Sequence, residues 1–278
     1  MNRHIPAFAA FLALTGTAWS QAPAPAPAPA GAVVEQSNEY RFQLDLQVNQ
    51  AALNKFLPAG WESAAATQGA AKDCNLRLIF IDRINVQGGD NRVLPPGKDI
   101  VVFLEAPVRQ SGGAAGAPPV TGRMILAGIS ENNSATAGTF GVLVKATKVS
   151  ASRAIATSDG KTQVTEDWDL TGAGGEHAQM HVKYVRGPAN HAGSDVRFYN
   201  PANPAQIVVM HGEQETDITR NVTTTPPDRV QEFSFSAGGG KFAPLFDGTQ
   251  KPLSWDAQPT YRRTVMADTI TIPRPDGR

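Results

Sequence analysis

The amino-acid sequence predicts an all-β to α+β fold whose strands form an antiparallel barrel or sandwich. Many short apolar segments are separated by clusters of glycine and proline, which is typical of that class. The chain has 26 Gly and 21 Pro, and only 18% of its residues are charged, so a β protein with many turns fits better than a helical one. A hydrophobic share of 41% is sufficient for a large core.

The N-terminal residues have the pattern of a secretory signal peptide. A basic start at Arg3 is followed by an apolar run at 5–14 and then by small residues. The apolar run is too short to span a bilayer, which needs ~20 residues. We therefore expect residues 1–22 to direct export to the periplasm or the medium, and cleavage after Ser20 or after Ala22 would fit equally well.

A proline- and alanine-rich spacer follows the signal peptide at 23–36. Its alternating prolines cannot donate a regular hydrogen-bond ladder, so an extended, polyproline-like conformation is expected. The spacer is either a tether that holds the domain away from the membrane or a disordered tail.

One β domain is expected over 37–272, with a C-terminal tail at 273–278. Its first strand, at 40–48, alternates apolar and polar residues, which predicts one buried and one polar face. Asn49 is a candidate N-cap for a short helix at 51–56. The later strands are predicted at 75–82, 100–104, 123–127, 139–149, 154–157, 163–168, 177–185, 196–199, 206–211, 230–235 and 261–272.

Composition argues against several function classes. Lys plus Arg and Asp plus Glu each total 25, so the formal net charge is zero and no global field favours nucleic acid or an anionic membrane. No segment after the signal peptide is apolar and long enough for a membrane span. Cys74 is the only cysteine, so an intramolecular disulfide is excluded, and its place at the start of a strand indicates a small structural residue rather than a nucleophile.

Two histidines and two arginines are the candidate ligand-binding residues. His177 and His181 lie four apart on a predicted strand, which separates their rings by about 13 Å, too far for one metal ion. They are expected in a polar row that faces solvent or the barrel lumen, and Arg41 and Arg77 lie on predicted strands. We expect neither a metal nor a cofactor, because the glycine-rich turns lack the phosphate-binding and dinucleotide-binding patterns.

Lys145 and Lys148 are the candidate catalytic residues, because they lie on an otherwise apolar strand. An amine buried in an apolar pocket loses its proton readily and can form a Schiff base with a carbonyl compound. The other interpretation is that both are rim residues whose amines reach water. Exposure of both amines on the outer surface would argue against imine chemistry.

Three segments resemble the acetoacetate decarboxylase-like superfamily: the strand, helix and Leu-Pro exit at 39–61, the strand at 74–83, and the segment at 140–145. The resemblance implies a closed, cone-like and mostly antiparallel β-barrel with one or two short helices, built around an apolar cavity and often oligomeric. In that family one of two adjacent lysines forms the Schiff base. Lys145 is the nearest match to that lysine, but its neighbour at position 146 is alanine. The family also has an arginine just before its opening strand, and the nearest arginine in this chain is Arg41.

These observations lead to an expected function and an alternative. We expect an exported barrel that binds a small apolar or carboxylate-containing molecule in its cavity without decarboxylating it. The alternative is a carbon–carbon lyase that acts on a β-keto acid through Lys145 or Lys148, and a weaker one is a structural domain of the cell envelope. The expected partner is a small molecule, with no nucleic acid and no membrane span, and the resemblance adds a possible homo-oligomer.

Overall fold

A computed structural model describes residues 31–111, 119–132, 136–221 and 229–267. The predicted signal peptide, most of the predicted spacer and the predicted tail lie outside these ranges. The elements in chain order are β1 (Val33–Gln47), α1 (Gln50–Asn54), β2 (Trp61–Ser63), β3 (Leu76–Gly88), β4 (Asp99–Gln110), β5 (Thr121–Ser130), β6 (Leu143–Ser158), β7 (Lys161–Gly172), β8 (His177–Val185), β9 (Asn190–Asn200), β10 (Asn203–Asn221), β11 (Val230–Gly238), a 3-10 helix (Gly240–Phe242) and β12 (Lys251–Ala267).

Several element boundaries differ from those expected. β1 begins at Val33, so the last four residues of the predicted spacer belong to a strand. The strands predicted at 139–149 and 154–157 are one strand, β6. β12 begins ten residues before the predicted start. Pro252 and Pro259 argue against a strand in the sequence, but each lies beside an interruption in the pairing of β12 with β1, where a strand tolerates proline.

The predicted helix is present and begins where the sequence indicates. The side chain of Asn49 accepts hydrogen bonds from the backbone N–H groups of Ala51 and Ala52 at 2.9 and 3.2 Å, as an N-cap does. Among the described residues, no helix has both the length and the apolar character needed to cross a bilayer.

Most strands form a partial ring rather than the closed antiparallel barrel that was expected. The ring runs β5–β9–β10–β12–β1–β3–β4 and returns to β5. β5 pairs with β9 in parallel through a single bridge, Arg123 with Phe198, and it also pairs in parallel with β6. The sheet is therefore mixed, and the ring is weakly joined at β5–β9.

A second layer, made of β6, β7, β8 and β11, packs against the outside of the ring. Alternate residues of β1, among them Phe42 and Leu44, point outward into this contact, where Phe80 and Trp168 meet with ring centroids 5.6 Å apart. A buried polar cluster crosses the same contact, because Glu166 accepts a hydrogen bond from the Tyr40 hydroxyl. The remaining residues of β1 point into the ring, which has a core of its own.

Candidate functional site

The interior of the ring combines buried charges with an apolar wall. Glu35, Glu39 and Arg41 on the inward face of β1 are each at most 5% exposed. The wall opposite them is formed by apolar side chains from five strands: Ile81, Val101, Phe103, Ile125, Phe198 and Met210. The cavity between these charged side chains and the apolar wall has a volume of about 20 Å³, which is room for about one water molecule.

Arg83 and Arg263 link the two glutamates at one end of the interior. Arg83 Nη2 lies 2.5 Å from Glu35 Oε1, and its Nε lies 3.3 Å from Glu39 Oε1. Arg263 Nη1 forms an ion pair with the same Glu35 oxygen. Burial alone would raise the pKa of Glu39, but Arg41, Arg83 and Arg263 lower it to about 2. Glu39 is therefore ionised at neutral pH, and the network is charged.

Arg41 lines the cavity and has one guanidinium nitrogen without a hydrogen bond to a described residue. Its Nε donates to Glu39 Oε2 at 2.7 Å, its Nη2 forms an ion pair with the same oxygen, and its guanidinium carbon lies 3.5 Å from the centre of the Tyr261 ring. Among the described residues, no group accepts a hydrogen bond from Arg41 Nη1. Burial alone would lower the pKa of Arg41, but Glu39 and Tyr261 raise it, so this nitrogen remains a charged donor.

A short segment at 136–142 covers this end of the interior. The Arg83 Nη1 donates to Thr136 Oγ1 at 2.8 Å, and the backbone N–H of Ala137 donates to Glu35 Oε2 at 3.0 Å. Gly138, at φ 84°, allows the tight turns that the segment needs. Because the cavity is small, a ligand larger than water requires this cover segment to shift.

The other end of the interior holds a second charged cluster. Arg77 Nε lies 3.1 Å from Asp45 Oδ1, and Glu105 Oε1 lies 3.3 Å from Arg77 Nη1 and 3.0 Å from Arg123 Nη1. Asp256 lies on the adjacent strand β12 opposite Gln43, so it is a diagonal neighbour of Asp45, and its Oδ1 is buried without a hydrogen bond to any described residue. Burial and the charge of Asp45 raise the pKa of Asp256 to about 8.

Lys145 and Lys148 do not reach the interior of the ring. Both are exposed on β6 in the second layer, and the amine of Lys148 forms an ion pair with Asp169 on β7. A register shift between Ala146 and Lys148 interrupts the pairing there. Both side chains therefore lie at the surface of the second layer, outside the interior of the ring.

Lys145→Ala is expected to change the free energy of unfolding by no more than about 0.5 kcal/mol, because an exposed lysine contributes little to a core. Urea unfolding followed by tryptophan fluorescence measures the change. A loss of more than about 3 kcal/mol would show that the amine is buried.

The four candidate ligand-binding residues are divided between two places. Arg41 and Arg77 lie inside the ring, at its two charged clusters. His177 and His181 lie on the outward face of β8, because Ala178 and the apolar residues that alternate with them fill the core. The hydrogen bond of His181 Nδ1 to Asp167 on this face raises the pKa of the imidazole. The two histidines therefore do not line the cavity.

Cys74 is buried, as expected for a structural residue. Burial, together with the charge of Asp45, raises the pKa of its thiol to about 12, so it is uncharged and unreactive at neutral pH.

Sequence reasoning missed most of the cavity residues, including Glu39, Arg83 and Arg263. It also missed Tyr261, which packs against Arg41. The sequence contains one indication of them: every second residue of β1, from Glu35 to Asp45, is polar. Such a row ordinarily faces solvent, and only the ring turns it inward.

No protein-family model matches the chain, and no curated protein matches it. Solved structures similar to it include the enduracididine biosynthesis enzyme MppR in complex with the condensation product of pyruvate and imidazole 4-carboxaldehyde (12% identity, TM-score 0.48, covering 84% of this chain and 87% of that one). Two others are an acetoacetate decarboxylase-like enzyme from Sphingomonas wittichii RW1 (10%, 0.47, 85% and 91%) and the acetoacetate decarboxylase of Legionella pneumophila (12%, 0.46, 90% and 93%). The chain thus resembles acetoacetate decarboxylase-like proteins in structure, at 10–12% sequence identity.

Proposed function

We propose that this chain is an exported protein that binds a small monocarboxylate with an apolar body inside its ring and does not decarboxylate it. The observation that carries the proposal is the guanidinium of Arg41, whose Nη1 donor has no acceptor among the described residues. A carboxylate is the acceptor that best matches a guanidinium group in charge and geometry.

The position of Arg41 supports an anion rather than a neutral ligand. Tyr261 packs against one face of the guanidinium and Glu39 holds its Nε and Nη2, so the donor direction of Nη1 is set before a ligand arrives. A positioned charge in a water-poor interior binds an opposite charge more strongly than the same group does at the surface. The ligand's carboxylate would join the network of Glu35, Arg83 and Arg263 at its edge.

The apolar wall supports a short hydrocarbon or aromatic body for the ligand. Phe103, Ile125 and Met210 line the cavity and offer few polar groups to a sugar or a peptide. Since the present volume is about 20 Å³, the ligand must be small and its entry must move the cover segment at 136–142. The binding rate should then be slower than diffusion allows.

The arrangement of the lysines favours binding over the alternative lyase reaction. No lysine is among the described residues that line the cavity, and Lys145 and Lys148 lie in the other layer. A Schiff base to a ligand bound inside the ring therefore has no amine within reach. The export expected from residues 1–22 completes the proposal, because it would make this a binding protein of the periplasm or the medium.

Hexanoate is expected to bind the wild-type protein in isothermal titration calorimetry, and hexanamide, which has the same size and no charge, is expected to bind much more weakly. Arg41→Gln should weaken hexanoate binding by at least about tenfold, because the positioned charge is lost. Arg41→Lys, which keeps the charge but loses the planar fork, should lie between the two.

Arg109→Gln is the matched control, since Arg109 is an arginine in an ion pair with Glu62 at the surface, with 53% of its side chain exposed. It should bind hexanoate as the wild type does. The proposal would be wrong if folded wild-type protein bound neither hexanoate, butanoate nor benzoate, or if Arg41→Gln and Arg109→Gln bound them equally well. Thermal unfolding of each sample confirms that the variants are folded.

A further inference from the structure

The strand β6 has a long unpaired edge. One of its edges pairs with β7 from Ala146 to Ser158, whereas the other pairs with β5 only at Leu143, Val144 and Lys145. From 146 to 158 no described strand pairs with that second edge. A row of backbone N–H and C=O groups is therefore free to accept another strand.

The face of β6 that points toward the core is also uncovered. Ala151 and Ile155 lie opposite Trp168 and Val164 of β7, which are buried between the two layers. Cross-strand neighbours share a face, so Ala151 and Ile155 point the same way as those core residues. Both are exposed nonetheless, and Ile155 is 61% exposed.

This edge lacks the features that normally prevent strand addition. Proteins protect exposed edges with proline, charged side chains, bulges or very short strands. The stretch at 149–158 has no proline and no register shift, and its only charged residue is Arg153. The two terminal strands of the sheet are better protected than this edge of β6, since β2 has three residues and β11 carries Glu232, which is paired with Lys183.

The charge of Arg153 is used within its own chain. Its Nε lies 3.8 Å from Glu166 Oε2, and its guanidinium carbon lies 3.0 Å from the centre of the Tyr40 ring. Two identical edges can therefore approach each other without repulsion between like charges. A strongly acidic or basic partner, in contrast, would find no complementary charge on 149–158.

We infer that β6 pairs with β6 of a second copy of this chain, so that the second layers of two copies form one continuous sheet. An antiparallel pair of identical strands is self-complementary about a two-fold axis, which is the commonest symmetry of protein dimers. The pairing satisfies the free backbone groups of both edges. It also places Ala151 and Ile155 of each copy beside those of the other copy on one face of the joined sheet, so that these apolar side chains shield one another in part from water.

Ile155→Lys is expected to abolish this dimer. Light scattering after size-exclusion chromatography measures the mass of the purified mature protein. Samples at concentrations from about 5 to about 200 μM cover a range in which a weak dimer dissociates on dilution. The wild type should show twice the chain mass at the upper end and Ile155→Lys the chain mass throughout. Hydrogen exchange of the β6 amides should be slower in the wild type at the upper end than in Ile155→Lys.

Ile84→Lys is the matched control. Ile84 is also an isoleucine on a strand, and it is 62% exposed, but it lies on β3, away from the β6 edge. This variant should have the wild-type mass. A wild type that is monomeric throughout the range would overturn the inference and would indicate that the edge is covered by another part of the chain or not at all. Equal masses for Ile155→Lys and the wild type would overturn it as well.

Discussion

Arg83→Met is expected to lower the free energy of unfolding by about 3–5 kcal/mol at pH 7, the cost of removing one partner from a buried ion network. Methionine fills most of the space of the arginine stem but leaves its two acidic partners, Glu35 and Glu39, without one of their positive charges. The side chain of Arg83 is only 2% exposed, so water cannot replace the lost partner. The hydrogen bond from Arg83 Nη1 to Thr136 Oγ1 in the cover segment is also lost.

The pH dependence of this loss has a definite sign. The pKa of Glu39 is lowered from 4.5 to about 2 in the folded protein, so its contribution to stability is present above about pH 4.5 and is lost as the pH falls toward 2. Arg83→Met should raise that pKa and reduce this contribution. The difference in unfolding free energy between wild type and variant should therefore be largest at pH 7 and shrink toward pH 3.

Urea unfolding at a series of pH values tests both statements, with Arg109→Met as the control. Because Arg109 and Glu62 are an exposed pair, their loss should change the free energy of unfolding by less than about 1 kcal/mol. Similar losses for the two variants at pH 7 would contradict the picture of a buried, water-poor interior.

Asp256→Asn is expected to stabilise the protein by about 2 kcal/mol or more at pH 8, because folding of the wild type at that pH must either bury a charge beside Asp45 or take up a proton. The aspartate has a buried oxygen without a described partner and lies beside Asp45, so its ionisation in the folded state is unfavourable. Asparagine keeps the shape of the side chain and remains uncharged.

The gain should grow with pH. The pKa of Asp256 is raised from 3.8 to about 8, so the folded state retains a proton that the unfolded state loses. The stability that this proton contributes is complete below about pH 4 and is lost as the pH rises through 8. Wild type and Asp256→Asn should therefore have similar unfolding free energies near pH 4 and diverge between pH 4 and pH 8.

Thermal or urea unfolding across this range measures the divergence. Asp247→Asn is the control, because Asp247 lies in an exposed turn where hydrogen bonds from Thr249 lower the pKa of its carboxyl group. It should show no gain that grows between pH 4 and pH 8. A gap between wild type and Asp256→Asn that stays constant over that range would mean that Asp256 is already ionised in the folded protein.

The local structure of this chain is largely determined by its sequence. Alternation along β1 and β8 predicts strands because side chains point to opposite faces in steps of two, and both strands are present. Asn49 predicts the start of the helix because its side chain can satisfy the first free N–H groups, and it does so. The burial of Cys74 agrees with its position at the start of a strand.

The location of the candidate site was decided by the tertiary structure. The polar row of β1, with Glu39 and Arg41, has the pattern of a solvent-facing strand, and the partial ring turns it into a buried interior. The same period of two places Lys145 and His181 on strands but does not tell which layer those strands join. Alternation determines which side chains share a face, and only the packing of the ring and the second layer determines which face is buried.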